Sequence, residues 1–145
     1  MNNIVLNRSV LEDLAFGLSQ EDVFKPVLEG YFGISLEKTP QQDTFDFVNE
    51  DCKVIIEMKS RTNKKRQYPT TMIGDNKWKK AKVKYQIGYK VYFIFNFTDK
   101  LCVYEFRNQD IEKKSGGRND RGRPEFKYYR YIPIDDLIDV EFEIN

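Results

Sequence analysis

The chain has 145 residues, 24 Lys/Arg against 23 Asp/Glu for a formal net charge of +1, two cysteines and no histidine. That length suits one domain around one sizeable core. Without histidine there is no Ser-His or Cys-His nucleophile, no histidine-ligated zinc and no histidine general base, and neither G-x-x-x-x-G-K-[ST] nor G-x-G-x-x-G occurs, which argues against an ATPase or a dinucleotide enzyme.

In chain order, Ser9-Val10-Leu11-Glu12 has the spacing of a helix capping box, and Ser19 with Glu21 and Asp22 starts a second helix over about 19–32. Phe24, Leu28 and Phe32 fall on one face of that helix, Gly33 follows its end, and Pro26 either kinks it or marks its start. Ile34-Ser35-Leu36-Glu37 alternates as a half-buried strand would, and after the Pro40-Gln41-Gln42 loop two apolar strands are expected near 44–48 and 52–59. If a two-residue Glu50-Asp51 turn joins them, Thr44 lies opposite Glu57 and Asp46 opposite Ile55. Asp46, Glu57 and Lys59 then share a face, whereas another turn length could move Asp46 to the other side.

Residues 60–74 read as a basic loop, and Asn76 to Ile87 as a helix with Trp78, Ala81 and Tyr85 at helical spacing and Gly88 at its stop. Val91–Phe97 is apolar at almost every position, as expected of a central strand, and Leu101–Phe106 pairs with it through Thr98-Asp99-Lys100. Residues 107–127 read as a long loop, followed by a short strand at 128–132, a helical turn opened by Pro133 and an edge strand near 139–144. Cys52 and Cys102 fall in predicted strands and read as core residues. No 18-residue apolar run or secretory leader pattern is present, which predicts a soluble intracellular protein without membrane association.

Charge is segregated. Residues 1–58 carry four Lys/Arg and eleven Asp/Glu, residues 59–90 carry eleven Lys/Arg and only Asp75, and residues 91–145 carry nine against eleven. A local excess of this kind suggests a polyanion-binding surface better than a total charge does. Arg61, Lys64, Lys65 and Arg66 leave the second apolar strand directly beyond Lys59, where a phosphate backbone would pass. Arg118, Arg121 and Arg123 either contact nucleic acid or pair with Asp120, Glu125 and the acidic tail. Lys79, Lys80, Lys82 and Lys84 fit a solvated helix face as well as a binding face, while Trp78, Tyr128, Tyr129 and Tyr131 read as packing residues.

Asp46 and Glu57 stand in apolar strands, where an uncompensated charge is expensive, so a shared cation or a protein partner is required. A solvated cross-strand Glu57–Lys59 pair is the plainer reading, but the apolar residues alternating through both strands mark a buried face. Asp46, then Glu57-Met58-Lys59 in an Ile-rich strand, then a basic helix and a hydrophobic strand, together resemble the PD-(D/E)XK nuclease superfamily. The flanking pattern gives this weight, since D-x₁₀-E-x-K alone is unspecific. The proline of the motif's name is not beside the acid; Pro40 lies six positions earlier.

The resemblance implies an α/β, restriction-endonuclease-like αβββαβ core, a mixed central sheet flanked by helices, with extra C-terminal strands. It implies that Asp46 and Glu57 hold Mg²⁺, joined by the Met58 carbonyl, with Mn²⁺ able to substitute, and that Lys59 orients or deprotonates the attacking water. Glu21 corresponds to a first-helix acid found in many members, with Asp22 and Glu29 as rivals, and Lys77 to a polar group projected from the helix after E-x-K. The expected activity is phosphodiester hydrolysis by a phage- or virus-type endonuclease, on DNA rather than RNA. Recognition would be structure- or backbone-directed, as in junction resolvases, with a homodimer needed to cut two strands concertedly. The alternatives are a non-catalytic nucleic-acid-binding module on the same fold and a charge-driven protein-interaction domain.

Overall fold

The structure, a computed structural model, describes residues 20–40, 45–116 and 127–142. The Ser9–Glu12 capping box, Ser19, Thr44 and the three arginines 118, 121 and 123 lie outside these residues. Helix α1 (Gln20–Phe32) buries Val23, Phe24, Val27 and Leu28, and Pro26 stands inside it and not at its start. It ends at Gly33, whose φ of 68° is the left-handed conformation that favours glycine. The strand expected at 34–37 contracts to β1 (Glu37–Lys38), because the Leu36 N–H donates to Glu29 Oε2 at 2.9 Å and not to a neighbouring strand.

Strands β2 (Phe47–Asn49) and β3 (Val54–Ser60) pair antiparallel with Phe47 opposite Ile56 and Asn49 opposite Val54. The predicted two-residue turn is corrected to a four-residue loop, Glu50 to Lys53. Asn49 Oδ1 accepts the Cys52 N–H at 2.8 Å, and Lys53 adopts a φ of 52°. The pairing is thus shifted by two positions, but alternation does not carry through Asp46, since Phe45 packs with Ile55 and Phe47 with Ile56 on the opposite face. The Asp46 N–H donates to Ile56 O at 2.9 Å, so Asp46 and Phe47 both oppose Ile56 and the chain bulges at Asp46. Cys52 is exposed in this loop, which corrects its assignment to the core; Cys102 is buried.

The region expected to be a basic loop holds a 3-10 turn (Lys65–Gln67) and a strand, β4 (Thr70–Gly74), that runs directly into helix α2 (Asp75–Gln86). Gly88, at φ 100°, closes α2: its N–H donates to Tyr85 O at 3.1 Å and the Tyr89 N–H to Lys84 O at 3.0 Å. That pair of bonds satisfies two terminal carbonyls and turns the chain into the next strand. Then follow β5 (Lys90–Asn96), β6 (Leu101–Phe106), β7 (Lys113–Gly116), β8 (Lys127–Pro133), a 3-10 turn (Ile134–Asp136) and β9 (Ile138–Asp139). Strand β7 lies within the predicted long loop. The predicted edge strand is reduced to two described residues beside β6, and 143–144 fall outside the described residues.

A six-stranded mixed sheet runs β1-β2-β3-β5-β6-β9 and a three-stranded antiparallel sheet β4-β8-β7. β3 and β5 are parallel, which requires a crossover connection, and α2 provides it. Val23, Phe24, Leu28, Ile56 and Ile94 form the core on the α1 side, and Ile55, Trp78, Ala81, Phe93, Phe95 and Phe106 the core on the α2 side. Covering on both faces explains the near-continuous apolar sequence of β3 and β5. Glu57 is a charge set in the middle of it.

Candidate active site

Glu57 is 2% exposed on the α2 side of β3. Its Oε1 meets Lys59 Nζ at 3.1 Å and Lys77 Nζ at 3.4 Å; its Oε2 is buried with no hydrogen-bond partner. Lys59 reaches it because residues two apart in a strand share a face, and Lys77 because the first turn of α2 lies above that face. An orphaned carboxylate oxygen at this depth carries a desolvation penalty of about 1–3 kcal/mol or more unless something completes it.

Asp46 stands where β2 has not yet begun. Its Oδ2 accepts the Met58 N–H at 2.7 Å, so the carboxylate fills a ladder position that a strand carbonyl would otherwise take. In a strand the N–H and C=O of one residue point to the same edge, so the Met58 carbonyl faces the Asp46 side too. Burial raises the pKa of Asp46 above the ordinary carboxylate value, and the charge of Glu57 adds to it, against the opposing Met58 N–H, Glu21 and Lys59. Glu21 is raised as well, by burial and by its hydrogen bond to Asp46, with Lys38 opposing. The two carboxyls therefore hold a proton between them more readily than isolated acids would.

Of the three first-helix acids, Glu21 is the one hydrogen-bonded to Asp46. Asp22 meets Lys38 Nζ at 3.3 Å, and Glu29 is engaged by the Leu36 N–H. Asn96 Nδ2, at the end of β5, donates to Gln20 Oε1 at 2.9 Å and fixes the start of α1 against the sheet. Lys38, whose Nζ is 3.5 Å from Glu21 Oε2, was not among the expected site residues. A lone lysine in a short polar stretch carries no signal of its own.

Two carboxylates and a carbonyl at one strand edge, with one carboxylate oxygen orphaned, suit Mg²⁺, which binds through one or two carboxylates and keeps several waters. Among the described residues, no group of three or more His, Cys, Asp or Glu is clustered so that it could hold a metal ion.

The basic residues divide sharply. Lys65 is buried, its Nζ 2.6 Å from Asp139 Oδ1 and its N–H on Asp99, so its ammonium is not available to a phosphate; this corrects the expectation for that residue. Arg61 is half-buried: it reaches the Met72 carbonyl and Thr71 Oγ1 and lies 5.5 Å over the Phe95 ring, which ties the exit of β3 to β4. Burial lowers its pKa. Arg66 is exposed with Asp135 at 3.0 Å, and Lys64 is exposed. Trp78 packs in the core, as expected.

One ionic hub was missed. Asp75, 5% exposed at the start of α2, receives Arg130 Nε at 2.8 Å and the Nζ atoms of Lys79 and Lys113 at 3.2 Å each. Burial opposes its ionisation, but the bonds from Arg130, Lys79 and Lys113 outweigh it and hold its pKa at about 2. The hub joins α2 to β7 and β8. Asp75 is the lone acid of the basic segment, a signal the sequence did contain.

Two carboxylates and a lysine on adjacent strands of a mixed sheet, beside a crossover helix that adds a second lysine, define a protein with the restriction-endonuclease-like fold. The family model described as "Phage putative PDDEXK endonuclease" matches residues 8–144, and the chain belongs to that family. No curated protein matches the chain. Among the described residues, no helix is long and apolar enough to cross a membrane.

Proposed function

We propose that the protein is a divalent-metal-dependent endonuclease that hydrolyses phosphodiester bonds in DNA. The observation that carries this reading is Glu57, buried between Lys59 and Lys77 on one oxygen and left without a partner on the other, close enough to Asp46 for its charge to act on it. Asp46, Glu57 and the Met58 carbonyl would hold Mg²⁺, or Mn²⁺ in its place. When bound, the cation supplies the Lewis acidity that a phosphoryl-transfer transition state requires.

Lys59 sits on the rim, its side chain partly exposed and anchored to Glu57, and orients the attacking water. Lys77 brings a second positive charge to the same carboxylate from above, placed to balance charge developing on the phosphoryl oxygens. Glu21, hydrogen-bonded to Asp46, sets the orientation and proton content of that carboxylate. Recognition is directed by backbone and structure, and a homodimer would cut two strands concertedly.

The test is to incubate the protein with plasmid, single-stranded, branched DNA and RNA in Mg²⁺, Mn²⁺ or EDTA, beside Asp46→Ala and Lys59→Ala. Metal-dependent cutting of DNA that both variants lose is the expected result. Salt-sensitive binding with no cutting of any substrate would instead make the chain a non-catalytic nucleic-acid module.

A further inference from the structure

Beside the candidate active site runs an open groove of about 980 Å³ between the exit of β3, the start of α2 and the three-stranded sheet. Five cationic side chains line it, Lys59, Arg61, Lys77, Lys79 and Lys127, against one carboxylate, Asp75, which is already shared among three cations. Electrostatically it is a site for a polyanion. Its outer wall carries Tyr128, 58% exposed.

An aromatic ring so exposed on a strand of a small sheet contributes little to packing. It is nevertheless held: Lys113 Nζ lies 5.1 Å over the ring, and the same ammonium is 3.2 Å from Asp75 Oδ2. The cation that orients Tyr128 is thus anchored to the start of α2, two residues before Lys77. A pre-oriented ring in a basic groove can stack on a nucleobase with little loss of side-chain freedom. Bases in a duplex have both faces occupied by their neighbours; bases of an unpaired strand do not.

We propose that this groove takes an unpaired nucleic-acid strand, with Lys79 and Lys127 on its phosphates and a base stacked on Tyr128, and feeds that strand to the site at Glu57. This rests on the nuclease reading and adds to it a substrate class: DNA with a single-stranded segment next to the bond that is cut.

The test uses the full chain in EDTA, so that binding is read without cutting, by fluorescence anisotropy on a labelled oligo-dT, a strand of equal length made of abasic linkers, and a blunt duplex. Wild type should prefer oligo-dT to both other probes. Tyr128→Ala should weaken oligo-dT binding about tenfold and leave abasic binding unchanged, while Tyr128→Phe retains wild-type affinity. Lys127→Ala should reduce the salt slope on oligo-dT by about 0.7. Equal or tighter binding of the duplex, or equal loss on the dT and abasic strands, would overturn the proposal while leaving metal-dependent cutting intact. Conversely, Tyr128-dependent binding without any cutting in Mg²⁺ would overturn the nuclease reading, and with it the delivery of the strand to Glu57, while leaving the groove as a site for an unpaired strand.

Discussion

The Asp46 carboxylate accepts the Met58 N–H at 2.7 Å, so a side chain occupies a backbone position in the β2–β3 ladder. This locks the acid at the edge where Glu57 is buried and places two negative groups close together. The charge at Asp46 is consequently a source of instability until something positive joins it.

Asp46→Asn keeps an acceptor for the Met58 N–H and removes that charge. The metal-free variant should be more stable than wild type at pH 7, seen as a higher Tm. Because burial and Glu57 raise the pKa of Asp46, the excess stability is largest above that pKa and shrinks as pH falls and wild-type Asp46 takes up its proton. Mg²⁺ or Mn²⁺ should raise the Tm of wild type and not of the variant. A cation-induced shift of equal size in both would remove Asp46 from the metal site.

Lys59 and Lys77 share one oxygen of Glu57, so their removal should not be additive. Lys59→Ala should lower the cleavage rate by at least about 10²-fold and Lys77→Ala by about tenfold, each with a modest stability loss because the other ammonium remains. The double variant should unfold in urea with an extra penalty approaching about 3–5 kcal/mol, as the buried carboxylate loses both partners. A simple sum of the single effects would mean that the two lysines act on different groups.

Asp75 gives a prediction of the opposite pH sign. Its pKa is depressed to about 2, so its contribution, about 2 kcal/mol, is fully present above the unfolded value near pH 4 and is lost as pH falls towards 2. Asp75→Asn should therefore be less stable than wild type at neutral pH, and the two denaturation curves should converge at acid pH. Persistence of the full difference at pH 2 would contradict the ionic account of the hub.

Lys64 and Lys65 are neighbours with different roles. Lys65→Met should lower stability by about 1–3 kcal/mol through loss of the bond to Asp139, yet leave the salt dependence of DNA binding unchanged. Lys64→Ala should do the reverse, reducing the salt slope by about one phosphate contact at constant Tm. Titrating both variants across a range of NaCl separates the two outcomes.

The central part of the fold was legible because β3 and β5 are near-continuous apolar runs and α2 has apolar residues at helical spacing with Gly88 at its stop. That Asp46 lies near Glu57 was legible, but register alone was not sufficient for a shared face: Lys53 in a left-handed conformation lengthened the loop by two residues, and the bulge at Asp46 interrupts the alternation on which a shared face would rest. Strands β4 and β7 were hidden for different reasons. Thr70-Thr71-Met72-Ile73-Gly74 alternates over too few residues to stand out from the basic loop around it, and Lys113-Lys114-Ser115-Gly116 has no apolar residue at all. Its strand character comes only from pairing with β8. The burial of Lys65 was invisible because its partner, Asp139, lies 74 positions away.

Asp75 and Lys77 share the first turn of α2, and the hub at Asp75 binds that turn to β7 and β8. The three-stranded sheet and the lysine on Glu57 therefore cannot be displaced independently of each other. A load applied to the sheet from outside, whatever its source, reaches the ammonium group that faces the buried acid through the Asp75 carboxylate and through the chain itself, where β4 runs into α2.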